Sequence, residues 1–376
     1  MLSMDGFRWD YASRVETPNL DQIAKQGVIA EYVKPVFPTK TFPNHYAMAT
    51  GLYADNHGIV NNNFFCPVLD ANYQISDRQS IENGDFYHGE PIWVTAEKQG
   101  MKTASFFWVG SEAPVKGIQP TWWKKYDGDI PFNARIDSVI NWMQLPEDKR
   151  PQLITFYFDE PDRQGHYTGP ESVEVDKMII KLDSLVGVLT KKLKQLPEYK
   201  NINLIITSDH GMGETSSERY INLHSHTPQE WFERIHGGNP MYSVQPKSGM
   251  TDSVINKLRK LEHIKVFKKA EIPERFQYGT NPRIDELIIL ADTTWSIGWK
   301  DLPPGSHKGG AHGWDNQWKD MHTIFYAMGP DFLNNHQHTP IEVVDLYPLI
   351  AEILNLTPED VDGKIERIEG MLVKDQ

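Results

Sequence analysis

The sequence lacks several features that mark particular classes of protein. Cys66 is its only cysteine, so an intramolecular disulfide is impossible, and this count does not separate oxidising from reducing compartments. No apolar run approaches the ~20 residues that span a bilayer. The chain also has no internal repeat and no low-complexity tract. These absences exclude a disulfide scaffold and a repeat array, and they predict no transmembrane segment.

Positive charge is in deficit as well. Lys and Arg number 38 against 51 Asp and Glu, which gives a net charge of -13. A nucleic-acid groove needs clustered cations, so the expected partner is a small molecule, and the sequence gives no basis for a protein partner. With 376 residues, 39% hydrophobic and 24% charged, the chain can bury a core large enough for one big domain or two modest ones.

The N-terminal stretch "MLSMDGF" has neither a charged segment nor the apolar segment of a signal peptide. It begins at once with a strand-like run that has no lead-in. We therefore expect a periplasmic or secreted protein whose signal peptide has been trimmed, while a cytoplasmic location stays open.

Apolar runs of strand length alternate with helical patterns. The predicted strands are Lys102–Gly110, Gln152–Glu160, Asn201–Gly211 and His322–Pro330, and the predicted helices are Thr17–Gly27, Pro170–Leu196 and Ile341–Leu356. Near-continuous apolar runs are typical of strands buried on both faces of a parallel sheet. The alternation therefore predicts an α/β fold with a central, mostly parallel sheet flanked by helices.

The stretch from about Met212 to Pro304 has a different pattern, with short strands such as "ELIILAD", turns and one helix. It predicts a smaller α+β lobe at about 212–304, inserted into a single catalytic domain that spans residues 1–376.

Polar side chains follow three of the buried runs. Asp5 follows the N-terminal run "MLSM". The run "LITFYF" is followed by Asp159, Glu160 and Asp162, with His166 four residues beyond Asp162, and the run "INLIITS" is followed by Asp209 and His210. Ligands of open α/β sheets bind beyond the carboxyl ends of the strands. Carboxylate and imidazole are ligands for Zn²⁺ and similar cations, so the pattern predicts a metal site.

Each of these residues also has an ordinary interpretation. Asp5 before glycine suits a turn, "DHG" suits a strand-ending turn, and Asp162 with His166 suits an ion pair one helical turn apart. Taken singly these are the better interpretations, but independent turns need not place Asp or His after every buried strand.

His312, in the glycine-rich loop "GGAHGWDN", adds a further ligand, unless it is an incidental loop histidine. Asp5, Asp162, His166, Asp209, His210 and His312 together are too many for one ion, because a tetrahedral site needs about four. Two metals are therefore expected, and carboxylate-rich two-metal sites serve phosphoryl transfer.

The stretch "PVFPTKTFPNHYAMATG" supplies a nucleophile. A threonine hydroxyl needs activation by a metal, and a following helix would present N–H groups to a phosphate. Thr39 and Thr41 both fit, and a rigid turn with a helix cap is the alternative. Asn62 in "HGIVNNNF" is a candidate donor to a phosphoryl oxygen, or a residue of a polar turn.

Together these residues resemble the nucleotide pyrophosphatase/phosphodiesterase family of the alkaline phosphatase superfamily. The blocks "SMDGFRWDY", "FPTKTFPNHYAMATGLYADNHGI", "GEPIWVTAEKQG", "FFWVGSE", "FDEPDRQGHYTGP", "TSDHGM" and "AHGWDN" occur in family order over nearly the whole chain. Blocks of this length are more specific than a single short motif. The resemblance implies an alkaline-phosphatase-like fold, two Zn²⁺ ions and hydrolysis to nucleoside 5′-monophosphates through a covalent threonine intermediate.

The resemblance also assigns roles. It selects Thr41 over Thr39 as the nucleophile and makes Asn62 the donor to the phosphoryl oxygen. One zinc would be held by Asp162, His166 and His312, and the other by Asp5, Asp209, His210 and the Thr41 hydroxyl. Phe42 and Tyr126 match the aromatic pair that sandwiches a nucleobase, and Trp108 flanks that pocket.

Other functions fit the same family or the same residues. One is a phosphodiesterase of lysophospholipids or choline headgroups, and another is a metal-stabilised binding protein without turnover. A phosphomonoesterase is disfavoured, because no arginine lies within the nucleophile block to hold the extra phosphate charge. The aromatic pair favours nucleotides, since flat rings suit a base better than an acyl chain.

Overall fold

The structure is a computed structural model that describes residues 1–303 and 305–373. Its β-strands, in chain order, are β1 (Leu2–Met4), β2 (Val28–Ala30), β3 (Val33–Lys34), β4 (Asn63–Cys66), β5 (Ala71–Gln74), β6 (Thr103–Phe106), β7 (Trp122–Lys124), β8 (Leu153–Phe158), β9 (Leu204–Thr207), β10 (Gly213–Thr215), β11 (Tyr220–Asn222), β12 (Phe232–Gly238), β13 (Met241–Pro246), β14 (Ile264–Lys268), β15 (Leu287–Ala291), β16 (Ser296–Gly298), β17 (Gly309–Ala311), β18 (Phe325–Met328), β19 (His336–His338) and β20 (Ile341–Glu342).

The α-helices are α1 (Tyr11–Arg14), α2 (Pro18–Gln26), α3 (Thr41–Thr50), α4 (Ala54–His57), α5 (Arg78–Ile81), α6 (Ile92–Lys98), α7 (Phe132–Met143), α8 (Asp162–Thr168), α9 (Val173–Leu193), α10 (Thr251–Leu258) and α11 (Leu346–Ile353). Among the described residues, no helix combines the length and the apolar character that crossing a membrane requires.

The central sheet has eight strands in the order β19-β2-β18-β9-β1-β8-β6-β7. All four runs predicted as strands contribute to it. The strands β9, β1, β8 and β6 are parallel neighbours, whereas β18 runs antiparallel to both β2 and β9. The expectation that the run at His322–Pro330 belongs to a parallel arrangement is therefore wrong for that strand. Its apolar pattern indicates that the strand is buried on both faces of the sheet. A parallel and an antiparallel strand can both be buried in this way, so the pattern does not give the direction.

Helices cover both faces of this sheet. On one face α2, α7 and α9 share a hydrophobic core with the sheet, which includes Leu20, Ile136 and Leu182. On the other face α3, α6 and α11 form a second core, which includes Met48, Val94 and Leu349. Because both faces are covered, the central strands are mostly apolar, and the polar residues in their interiors, such as Ser105 and Thr155, are buried and hydrogen-bond to each other.

A second, antiparallel sheet has the order β12-β13-β15-β14. Its strands and α10 share a hydrophobic cluster of their own, in which Val244, Val254, Leu258 and Leu287 are buried. The division of a single domain, 1–376, into a main part and a lobe at about 212–304 stays a prediction. Its boundary residue Pro304 and the last three residues of the chain lie outside the described residues.

The helix expected at Ile341–Leu356 is shorter in the structure. The strand β20 and a 3₁₀ turn over Val343–Asp345 come first, and α11 covers only Leu346–Ile353. Pro348 explains the late start, because proline lacks an N–H and is tolerated in the first turn of a helix but not in its interior.

Candidate functional site

The carboxyl ends of the three adjacent strands β9, β1 and β8 bring the predicted acidic residues together. Asp5 follows β1 directly, Asp209 and His210 follow β9, and α8 begins at Asp162 shortly after β8. The Asp162 N–H donates to the Asp5 carbonyl over 2.9 Å, which fixes α8 against the end of β1. The strand-end argument from the sequence therefore gives the correct edge of the sheet.

The six predicted ligand residues form one continuous cluster. Asp162 Oδ1 lies 3.4 Å from His166 Nε2 and 3.7 Å from His312 Nε2. His210 Nε2 lies 3.4 Å from Asp5 Oδ1 and 3.1 Å from Asp209 Oδ2. Asp162 also groups with Asp5 and His210, so the two sets adjoin. The structure thus brings together every residue that the sequence singled out as a metal ligand.

The three histidines are oriented alike. The Nδ1 atoms of His166, His210 and His312 each lie within 2.9 Å of a backbone carbonyl oxygen, those of Gly310, Gly211 and Thr39 respectively. Because a carbonyl only accepts, Nδ1 carries the proton and donates it, and the lone pair is left on Nε2. This is the arrangement that a metal-binding imidazole requires, because the hydrogen bond fixes both the ring and its tautomer.

The carboxylates have oxygens that face the same space. Asp5 Oδ1, Asp162 Oδ1 and Asp209 Oδ2 are buried and have no hydrogen-bond donor among the described residues. Unpaired buried carboxylate oxygens are costly unless a cation compensates them. Together with the Nε2 lone pairs, this donor set fits one or more divalent cations of the zinc type.

The electrostatics agree with this fit. Burial, together with repulsion from Asp209 and Asp162, raises the pKa of Asp5 well above its ordinary value. Burial also raises the pKa of Asp209, but His210 and His45 outweigh it and lower that pKa to about 2. Burial lowers the pKa of His312 and of His210, so both rings favour the neutral form that binds metal.

Thr41 and Thr39 differ sharply in their surroundings. Thr41 is the first residue of α3, and its Oγ1 lies 3.1 Å from His210 Nε2. Thr39 is fully buried, and its Oγ1 donates to the Trp314 carbonyl and accepts from the Gly313 N–H. The Thr39 hydroxyl is therefore engaged in packing a loop, whereas the Thr41 hydroxyl faces the candidate ligands.

The expectation that the first turn of α3 offers several N–H groups to a phosphate is wrong. The Phe42 N–H donates to Asn62 Oδ1, the Asn44 N–H donates to the Lys40 carbonyl, and Pro43 has no N–H. The Asn44 bond is the ordinary first bond of the helix, whereas the Phe42 bond uses a donor that a helix N-terminus otherwise leaves free. The first turn thus leaves the Thr41 N–H as its donor.

Asn62 lies beside Thr41 because its Oδ1 accepts the Phe42 N–H over 3.1 Å. That bond uses the amide oxygen and leaves the Nδ2 hydrogens available. Its neighbours explain the run of three asparagines: Asn61 Oδ1 accepts the Asn62 N–H, and Asn63 Oδ1 accepts the Gly237 N–H of β12. The run is therefore a polar turn, as the ordinary interpretation holds, and it also places one amide at the site.

A cavity of about 580 Å³ opens beside these residues, and its lining includes Thr41, Phe42, Trp108 and Tyr126. The side chain of Tyr126 is 45% exposed and stands 5.0 Å, ring centre to ring centre, from Phe107. Trp108 is only 2% exposed, and its Nε1–H donates to the His45 carbonyl. Tyr126 and Phe42 therefore present surface to the cavity, while Trp108 forms part of its base.

Sequence reasoning missed three residues that hold the cluster in place. The Tyr157 hydroxyl donates to Asp5 Oδ2 over 2.5 Å. His45 Nδ1 donates to the Thr41 carbonyl and lies 3.3 Å from Asp209 Oδ2. Lys40 Nζ donates to the His312 carbonyl. A partial signal existed for His45, which is four residues after Thr41 on one helical face. Tyr157 lies within an apolar strand and Lys40 lies between the two candidate threonines, so neither residue has a sequence pattern of its own.

Comparisons with known proteins give one consistent result. A family model described as type I phosphodiesterase / nucleotide pyrophosphatase matches residues 1–315. The venom phosphodiesterase CdcPDE of Crotalus durissus collilineatus is 37% identical over 96% of this chain and 45% of that protein. The bis(5′-adenosyl)-triphosphatase ENPP4 of Homo sapiens is 37% identical over 99% of this chain and 81% of that protein. The chain therefore spans less than half of the length of the venom enzyme.

Among solved structures, an inactive murine ectonucleotide pyrophosphatase/phosphodiesterase 5 in complex with AMP has a TM-score of 0.94. It is 35% identical, over 99% of this chain and 98% of that chain. This likeness confirms the alkaline-phosphatase-like α/β fold that the resemblance predicted.

Proposed function

The chain belongs to the type I phosphodiesterase / nucleotide pyrophosphatase family, and we propose that it hydrolyses nucleotide phosphodiester and pyrophosphate bonds with the help of metal ions. The products are nucleoside 5′-monophosphates. The observation that carries the proposal is the position of Thr41, whose hydroxyl meets the candidate metal ligands at the wall of an aromatic-lined cavity. The similarity to a relative solved with AMP supports the nucleotide as substrate.

We assign two zinc ions to the cluster. Asp162, His166 and His312 would hold one, and Asp5, Thr41, Asp209 and His210 would hold the other. The support is the set of unpaired carboxylate oxygens and the free Nε2 lone pairs described above. When bound, such cations lower the pKa of a coordinated hydroxyl and neutralise charge on phosphoryl oxygens.

In this proposal Thr41 is the nucleophile. Its Oγ gives up its proton to solvent and attacks the phosphorus. The bond to the leaving oxygen breaks on the opposite side, that oxygen keeps the electron pair, and the nucleoside monophosphoryl group remains esterified to Thr41. Water then cleaves this ester and restores the hydroxyl. The position of Thr41 at the first residue of α3 supports this role, because the backbone there is fixed by the helix and by the Phe42–Asn62 bond.

Asn62 is proposed to stabilise the transition state. Its Oδ1 is held by the Phe42 N–H, so Nδ2 is oriented before substrate arrives and can donate to a phosphoryl oxygen. A donor fixed in advance costs no reorganisation when charge develops on that oxygen.

The nucleobase is proposed to bind between Phe42 and Tyr126. Both residues line the cavity, and Phe42 directly follows the nucleophile, so its ring lies close to the esterified group. The buried Trp108 supports the floor of this slot through its bond to His45. A base stacked between two rings gains affinity without requiring a particular base edge.

A substrate panel tests the proposal. The panel comprises ATP, a dinucleoside polyphosphate, thymidine 5′-p-nitrophenyl phosphate, p-nitrophenyl phosphate and a lysophosphatidylcholine. We expect hydrolysis of the first three with release of nucleoside 5′-monophosphate, and little turnover of the last two. Turnover of the lysolipid without turnover of ATP would instead establish the lipid or choline-headgroup alternative. No turnover of any substrate by zinc-loaded protein would leave the binding-protein alternative.

The periplasmic or secreted location is also a proposal, supported by similarity to proteins named as venom and ecto-enzymes. Fractionation of the native cell tests it.

A further inference from the structure

Helix α8 carries two pairs of residues on adjacent faces. Asp162 and His166, four residues apart, face the candidate metal site. Arg163 and Tyr167 are also four residues apart, so they share a face that is turned by about 100° from the first. Both are exposed, and the side chain of Tyr167 is 72% exposed. A cation and an aromatic ring therefore lie on one exposed face of α8, next to the site.

The guanidinium of Arg163 is free. It lines the same cavity as Thr41 and Tyr126, and it makes no hydrogen bond or ion pair with any residue between 1 and 303 or 305 and 373. The other arginine that lines the cavity, Arg78, is paired with Glu82 and Glu112. Arg163 is thus the arginine of this cavity that can take a new anionic partner without giving one up.

The position of α8 relates these residues to the leaving group. In a phosphoryl transfer the attacking and leaving oxygens lie roughly in line, on opposite sides of the phosphorus. Thr41, the attacking group, lies beside His210. The ligands Asp162 and His166 form the other side of the cluster, and both are on α8. An in-line attack by Thr41 from the His210 side would therefore direct the leaving group towards the side of the cluster that α8 forms.

We propose that the exposed face of α8 is the subsite for the leaving group. Arg163 binds phosphates beyond the one that is attacked, because guanidinium pairs with phosphate through two N–H donors. Tyr167, one helical turn further along, stacks on the second base of a dinucleoside polyphosphate. The two residues would therefore favour a leaving group that carries phosphates over a neutral one. This inference rests on the proposed function.

Equilibrium binding tests the subsite without turnover. In a zinc-loaded Thr41→Ala background, calorimetry would compare AMP, ATP and diadenosine tetraphosphate. We expect Arg163→Ala to weaken binding of ATP and of the dinucleotide by about tenfold or more, as for the loss of a charge-assisted hydrogen bond, and to leave AMP within about twofold. Tyr167→Ala should weaken only the dinucleotide, by about fivefold or more.

Matched variants complete the design. Arg163→Lys should retain part of the selectivity, and Tyr167→Phe should retain nearly all of it. Lys177→Ala removes an exposed cation of α9 that does not line the cavity, and it should change none of the three affinities. Equal weakening of AMP by Arg163→Ala would place the guanidinium on the nucleoside and overturn the phosphate assignment. Unchanged binding of the dinucleotide to Tyr167→Ala would overturn the stacking assignment.

The leaving-group subsite and the proposed function can be disproved separately. If the parent enzyme cleaves thymidine 5′-p-nitrophenyl phosphate but Arg163→Ala leaves phosphate selectivity intact, the α8 subsite is wrong and the proposed function stands. If the parent enzyme neither cleaves that ester nor binds any of the three nucleotides, both are wrong.

Discussion

At the scale of single residues, the contrast between Thr41 and Thr39 is the sharpest in the site. Thr41→Ala should abolish turnover while the fold and most of the bound zinc remain, because Asp5, Asp209 and His210 are still present to hold that ion, and Thr41→Ser should retain some activity. Thr39→Val, the matched control, removes the bonds to Trp314 and Gly313 and should lower the melting temperature rather than kcat. Steady-state kinetics and thermal melts check this. Loss of kcat in the Thr39 variant alone would mean that the wrong threonine is assigned.

Asn62 makes a prediction of its own. Asn62→Ala should lower kcat more than it raises KM, by ~10²–10³, the usual cost of one oriented donor to a developing oxyanion. The measurement is a full saturation curve on thymidine 5′-p-nitrophenyl phosphate. An unchanged kcat would reduce Asn62 to a residue of the turn that Asn61 and Asn63 build.

In the two-zinc assignment, Asp162 is a ligand of only one of the two ions. Asp162→Ala should therefore reduce the zinc content from two ions per chain to one and cost more than ~100-fold in kcat, since charge on the phosphoryl group loses one of its stabilising partners. Elemental analysis measures the zinc content alongside the rate. Fully active parent protein with a single bound metal would contradict the assignment.

At the scale of elements, the loop that carries Tyr126 closes one side of the cavity. Tyr126→Ala should reduce kcat/KM about tenfold or more for nucleotides, because the stacked base loses one face, and much less for bis(p-nitrophenyl) phosphate, which has no base. Paired kinetics on the two substrates measure the difference. Equal losses would make Tyr126 a structural residue and remove the main support for nucleotide preference.

The elements also show how far sequence reasoning reaches. The buried runs and the acidic residues that follow them are local patterns, so they predict the four strands and the edge of the sheet at which the candidate ligands gather. Strand direction is decided by partners, and nothing within Phe325–Met328 itself marks β18 as antiparallel. The helix α11 starts late because of Pro348. This proline is a local signal, but the predicted start of the helix followed the apolar periodicity instead.

The supporting residues lay beyond sequence reasoning for the same reason. Lys40 and Tyr157 act through atoms far away in the chain, the His312 carbonyl and Asp5 Oδ2. A hydrogen bond across 152 residues leaves no spacing pattern. The family resemblance identified Thr41, yet only the packing of Thr39 against the Trp314 loop gives the physical reason for that choice.

At the scale of the whole molecule, buried neutral histidines away from the site link stability to pH. Burial lowers the pKa of His57 to about 3 and that of His322 to about 4, from an ordinary 6.5. The unfolded chain therefore takes up these protons first as the pH falls. Their contribution to stability is complete above pH 6.5 and declines as the pH falls towards 4.

The variant His57→Gln isolates one of these contributions. It should be less stable than the parent at pH 7.5, because two hydrogen bonds of the ring, to Pro43 and from Ile59, are disturbed. Between pH 6.5 and pH 4 it should lose less stability than the parent does, since one titrating group is gone. Urea unfolding at a series of pH values measures both slopes. Parallel pH profiles would mean that His57 does not titrate on unfolding.

The candidate ligands are spread along the chain from Asp5 to His312, and this has a consequence for biosynthesis. During synthesis, Asp5 and Thr41 emerge from the ribosome early. The ligand set is incomplete until His312 has emerged and the strand Gly309–Ala311 has paired with β10. Any nascent or prematurely terminated chain that lacks this segment is therefore unable to assemble the full cluster. Under the proposed function, a chain interrupted before His312 would therefore lack the complete ligand set that hydrolysis requires.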